Sequence, residues 1–180
     1  DPRFGAKLTG KYRGWSLGLL SALDEEEGPD PIYGVLGLQR DILKNSSLGI
    51  IGTAKWKSKD DYGCALGADL GLRWPRGSLD LEWAKSFNPE PSGDDWRASL
   101  RARYAKGNFW AYGSLEELRP EFDVDRTGCA PHDPHVGERK LRGAASYRYR
   151  LGRFGIRWLG FYQGIRLNKR TDDPRWGWNW

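Results

Sequence analysis

Cys129, His132 and His135 form a C-x2-H-x2-H string, and thiolate with imidazole is zinc chemistry. The string offers three ligands where a structural zinc site takes four. Pro131 and Pro134 interrupt it, and one of Asp123, Asp125 or Asp133 would have to complete it. An exposed loop that holds both histidines of the chain is the plainer account, so neither a metal nor a cofactor is expected. Cys64 and Cys129 are the two cysteines. They can pair only if their Cα atoms come within about 7 Å. Carboxylates stand together at Asp24-Glu25-Glu26-Glu27, Asp94-Asp95, Glu116-Glu117 and Asp172-Asp173. The first and last of these could hold divalent cations at a lipopolysaccharide-rich surface, but solvated loop charge explains them more simply. Glu116-Glu117 and Asp94-Asp95 do not make a general acid/base pair, because neighbours on a strand point to opposite faces. No Ser/His/Asp arrangement, phosphate-cradling glycine loop or nucleotide motif is present. An enzyme is not expected.

The arginines say more, because they recur at every second position. Arg97, Arg101 and Arg103 alternate with Ala98, Leu100 and Ala102. Asp80 and Glu82 share that parity in the preceding segment, and Asp69 and Arg73 in the one before. Arg142, Arg148 and Arg150 line a later segment, with Arg157 close by. On a wall that separates lipid from a lumen, all of these face the lumen. They would line a water-filled passage, or a docking surface for a plug, with a preference for anions. A ladder of cross-strand ion pairs that stiffens the wall is the competing role.

Strands are the elements that place such charges. Tyr62, Cys64, Leu66, Ala68, Leu70, Leu72 and Trp74 oppose Gly63, Ala65, Gly67, Asp69, Gly71 and Arg73. Period two dominates the whole chain, and no segment carries a helical stripe. The reading is ten strands, over 4–12, 15–23, 32–40, 47–57, 62–74, 78–87, 95–105, 108–118, 140–150 and 153–166. An eleventh starts near Trp176. Around 32–40 and 153–167 the phase blurs, with Ile and Leu on both parities. Connections alternate between short (Arg13-Gly14, 41–46, Pro75-Arg76-Gly77, Lys106-Gly107, Leu151-Gly152) and longer (24–31, 58–61, 88–94, 119–139, 167–175). In an up-and-down sheet that order puts all short turns at one end, as outer-membrane barrels do.

Composition agrees. Of the 180 residues, 24 are aromatic (10 Trp, 8 Tyr, 6 Phe) and 24 are Gly, while Val occurs three times. A soluble β-sandwich or barrel would fill its apolar face with Val, Ile and Phe; here that face is Leu, Ala and Gly. Tyr12, Trp15, Trp74, Tyr104, Trp110, Tyr149 and Phe154 lie next to short turns. Tyr33, Trp56, Tyr62, Phe87 and Trp96 lie next to long loops. Two belts at the headgroup level follow, since Trp and Tyr join an apolar body to a polar edge. The mean hydropathy of -0.73 does not weigh against a membrane, because a barrel strand is apolar only at alternate positions. The net charge of +5 is spread along the chain and mixed with acids, so nucleic-acid binding is not expected.

Two stretches carry a resemblance. Phe4 to Ala22 is similar to a recurring opening, and Arg40 to Thr53 to the next landmark, of an uncharacterised bacterial family. In that family a family-9-like carbohydrate-binding module precedes a C-terminal outer-membrane β-barrel. Asp94 to Tyr104 and Arg126-Thr127-Gly128 echo it more weakly. The resemblance implies export, outer-membrane insertion and more strands than these, without implying an activity. The carbohydrate-binding module is absent, and 119–139 lacks the glycine-rich turn expected after Phe122, so no sugar-binding role passes to these residues.

The expectation is therefore an all-β, up-and-down antiparallel transmembrane β-barrel, or a partial barrel of about ten to eleven strands. It forms one domain over 1–180, a fragment of a larger barrel that does not close alone. Its place is the bacterial outer membrane and its partners are lipid and other subunits of a surface complex. It serves as a pore or uptake channel, or as an anchor with exposed loops. The alternative is a soluble lipocalin-like barrel that binds a small ligand.

Overall fold

A computed structural model describes residues 2–25, 29–89, 95–122, 136–150, 156–170 and 173–179. Every element among them is a strand. They are β1 (Pro2–Tyr12), β2 (Trp15–Asp24), β3 (Ile32–Ile42), β4 (Ser46–Trp56), β5 (Tyr62–Trp74), β6 (Gly77–Phe87), β7 (Trp96–Lys106), β8 (Phe109–Leu118), β9 (Val136–Arg150), β10 (Ile156–Arg170) and β11 (Asp173–Asn179). All eleven form one sheet in chain order, and each pairs antiparallel with its neighbours in sequence. The fold is all-β, antiparallel and up-and-down. β1 and β11 end the order, with no ladder between them among the described residues.

Turn chemistry fixes the register. Tyr12 pairs with Trp15 across Arg13-Gly14, and both turn residues have positive φ, 48° and 79°. Two positive φ angles define the turn whose twist matches a hairpin, and glycine relieves one of them. Lys106 pairs with Phe109, so the next tight turn is Gly107-Asn108, with Gly107 at φ 58°. Trp74 pairs with Gly77; Pro75 is preset for the first corner of that turn. Leu43 and Asn45, with φ of 50° and 65°, shape the three-residue turn between β3 and β4. These turns share one end of the sheet. The connections 25–31, 57–61, 88–95 and 119–135 share the other.

The last three strands depart most from the sequence reading; β10 is described from Ile156, and 153–155 lie outside the described residues. β9 begins at Val136 rather than 140, because Glu138, Arg139 and Lys140 pair into both neighbouring strands. β10 runs on to Arg170 and β11 starts at Asp173, so the long connection expected over 167–175 shrinks to positions 171 and 172. The polar residues Asn168, Lys169 and Arg170 are ladder residues, not loop.

The sheet has no sealed interior. Phe122 is the one buried hydrophobic side chain among the described residues. The chain exposes 12823 Å², against about 8,900 Å² for a compact globular monomer of this mass. Ser99, Ser114 and Ser46 are buried mid-strand or beside a tight turn, and Pro31, Ser86, Asp95, Pro120 and Phe122 are buried at the long-loop end. Backbone bonds fold that end in: Asp24 donates to Pro31, Ser86 to Asp95, Arg119 to Trp96 and Phe122 to Arg119.

Candidate functional site: the two faces of the sheet

Directly opposed residues share a face, so the registers can be followed strand to strand. One row reads Leu48, Leu70, Leu81, Leu100, Leu115, Leu141 and Ile165 across β4 to β10. Every member is exposed or half-exposed. Leu66, Leu72 and Ala102 lie on this apolar face. Its charged residues in β3 to β9 stand toward the strand ends: Arg40 and Lys106 near the tight turns, Lys85, Glu117 and Arg139 near the long loops.

Aromatics occupy the same two levels. At the turn end of the apolar face stand Tyr12, Trp15, Trp74, Tyr104, Tyr147 and Tyr149. Arg13 lies over the Tyr12 ring at 5.2 Å and Arg40 over Trp15 at 4.8 Å. At the loop end, Trp56 stacks on Tyr62 at 5.6 Å, and Arg119 lies over Trp96 at 4.8 Å. Trp110 is a correction. It opposes Ala105 and Ser146 and so stands on the other face. Nearness to a turn does not set the face; parity does. Phe109 takes its place, 6.3 Å from Tyr104. Trp83 was missed, though its parity with Leu81 was enough to put it on the apolar face.

The opposite face carries Asp69, Arg73, Asp80, Glu82, Arg97, Arg101, Arg103, Arg142 and Arg148. Arg150 holds the matching backbone position in β9. Asp69 and Glu82 are direct neighbours of like charge, which is unfavourable unless cations intervene. They do. Arg101 reaches Glu82 Oε1 and Oε2 at 3.0 and 3.1 Å, and the Ser99 hydroxyl donates to Oε2 at 3.1 Å. Arg97 stands 3.8 Å from the same carboxylate. Arg73 donates to Asp80 Oδ1 at 2.5 Å. A hollow of about 410 Å³ opens here, its lining including Asp69, Arg73, Asp80, Glu82 and Arg97. The ladder of ion pairs weighed against a passage is thus present on β5 to β7. Elsewhere on this face Lys11 pairs with Asp41 and Lys140 with Glu138, while among the described residues Arg103 and Arg142 have no carboxylate partner, Arg103 lying over the Tyr112 ring at 5.9 Å.

The strongest ion pair is on the apolar face at the loop end. Arg139 grips Glu117 through Nε and Nη2 with three contacts at 2.9 to 3.1 Å, and Arg119 adds a fourth at 3.2 Å. A two-pronged guanidinium–carboxylate pair fixes geometry as well as charge. Cys129, His132, His135, Asp123, Asp125, Asp133, Glu26, Glu27, Asp94, Asp172, Phe154 and Trp180 lie outside the described residues. Cys64 is a free thiol on the apolar face, opposite Ala54 and Phe87. No group of three or more His, Cys, Asp or Glu side chains converges as for a metal ion among the described residues.

These features define an antiparallel up-and-down sheet with one leucine-lined and one charged face. No protein-family model, curated protein or solved structure matches the chain.

Proposed function

We propose that the chain forms part of the wall of a bacterial outer-membrane β-barrel, with the leucine face against lipid and the charged face toward an aqueous lumen. The row from Leu48 to Ile165 carries this reading. Seven apolar side chains in line, open on their outer side, need an apolar solvent or an apolar cover. Lipid supplies the first without any second layer of structure. Trp96 to Tyr104 spans eight residue steps, about 26 Å along the strand at ~3.3 Å each. A tilt of about 40° turns that into roughly 20 Å of thickness, close to the ~25 Å apolar band of such barrels. The wall serves as a pore or uptake channel, or as the anchor of a surface assembly that uses the long connections for contact.

Purified full-length protein tests the reading. A membrane barrel needs detergent to stay in solution and migrates differently on gels before and after boiling. Solubility without detergent, with no heat-dependent shift, would favour the lipocalin-like binder. Single-channel conductance in a planar bilayer then separates a pore from an anchor.

A further inference from the structure

We infer that the charged face binds an oxyanion group (carboxylate, sulfate or phosphate) between β8, β9 and β10, centred on Arg142. This rests on the barrel reading only in requiring that water reach the face. The register sets Ser114, Arg142 and Gly164 side by side. Arg142 is half-buried, and no carboxylate, carbonyl or hydroxyl partners it among the described residues. In its own row Arg101 is paired with Glu82, and along its strand Lys140 with Glu138.

A second, independent observation sits next to it. Ser114 is 4% exposed, and its hydroxyl oxygen is buried without a hydrogen-bond partner. Buried hydroxyls without partners are uncommon, because the lost hydration is not recovered. A half-buried guanidinium with open donors beside such a hydroxyl is an arrangement that an oxyanion completes. The guanidinium offers paired N–H groups in a fork that matches two oxygens, and the serine adds a third donor.

Gly164 flanks the spot without a side chain: a Cβ there would stand 3.6 Å from Arg142 Cγ and 3.7 Å from the Tyr162 hydroxyl. Tyr162 is thereby a further donor against the same spot. One row toward the tight turns, Arg103 opposes Tyr112 and adds positive charge that no carboxylate among the described residues cancels. Glu116 lies one row the other way, opposite Lys140, and bounds the site on the loop side.

The probe is inorganic phosphate, read by broadening of its phosphorus resonance when titrated into detergent-solubilised full-length protein. Wild type should broaden the signal saturably and competitively with sulfate. Arg142→Gln should weaken binding at least tenfold, Arg142→Lys should restore it in part, and Ser114→Ala should give an intermediate loss. Arg73→Gln, which removes an arginine already paired with Asp80, should leave binding unchanged. Far-UV circular dichroism of each variant, matching wild type, confirms that it is folded. No saturable broadening in folded wild type, unaltered binding in folded Arg142→Gln, or an equal loss in Arg73→Gln would overturn the assignment. Binding is read without a membrane, so a protein that fails to conduct yet binds phosphate refutes the pore and not the site.

Discussion

Lysine in place of Leu100 tests the solvent of the leucine face at its most sensitive point. Leu100 is the midpoint of the apolar-face row of β7, Trp96, Ala98, Leu100, Ala102 and Tyr104, with Leu81 and Leu115 as direct neighbours on either side. Four residue steps separate it from each aromatic level, about 13 Å along the strand. At a tilt of about 40° that is roughly 10 Å of depth in either direction. A lysine stem is shorter than this, so the ammonium cannot reach water at either surface without deforming the bilayer. The cost at such depth is about 2–4 kcal/mol. That shifts the folding equilibrium by roughly 30- to 700-fold, at 1.4 kcal/mol per factor of ten. Ala111 lies on the same face but level with Tyr104, where the same substitution should cost about 0–1 kcal/mol. Urea titration of protein folded into lipid vesicles, followed by tryptophan fluorescence, measures both. Equal costs at Leu100 and Ala111 would refute the reasoning, because a water-facing or protein-covered row has no reason to grade with depth.

Other outcomes are expected from the same structure. Removing Glu117 by Glu117→Ala should destabilise by about 1.5–3 kcal/mol, because its side chain is only 16% exposed and is held by two arginines. Glu82→Ala should cost less, about 0.2–1 kcal/mol, since Glu82 is 41% exposed and water screens its pairs; urea midpoints of the two variants, compared directly, check the order. Gly77→Ala should destabilise by about 1–3 kcal/mol, since a Cβ there would run into the Arg103 carbonyl oxygen and meet the Trp74 ring at 2.8 Å; the same titration reads it. On intact cells a membrane-impermeant thiol reagent should reach Lys59→Cys in a long-loop connection and not Arg76→Cys in a tight turn, and the reverse pattern would invert the orientation.

Alternation made the middle of the sheet legible. On β5 to β7 large apolar residues keep one parity within each strand and charges, Lys85 and Lys106 excepted, the other, so both faces could be written down from the sequence. Legibility fails where hydropathy and pairing part company. Glu138-Arg139 reads as loop by polarity, yet it is strand, with Arg139 held by Glu117 and Glu138 by Lys140. Leu167 to Arg170 reads as loop for the same reason and is carried by the ladder to β9. At β2 to β4 both faces hold apolar residues, with Leu20, Val35 and Ile51 set opposite the leucine side, so parity alone cannot say which face is which. The anion-binding candidate was half visible. Arg142 stood out by alternation, but Ser114 and Gly164 become its neighbours only once register is fixed, and register is a long-range property of the turns.

Pairing only between strands adjacent in sequence has an evolutionary consequence. A packed core couples every element to many others, so deleting one leaves a void that the rest must fill. Here each hairpin touches only the strands before and after it. A gene segment encoding two strands and their turn can be duplicated or lost, and the flanking strands still find partners of the same polarity and the same face. The number of strands then changes in steps of two while local sequence stays the same. Selection on such a chain would act hairpin by hairpin. Divergence should concentrate in the long connections, and the turn residues Arg13-Gly14, Pro75-Arg76 and Gly107-Asn108, which set each unit's register, should change least.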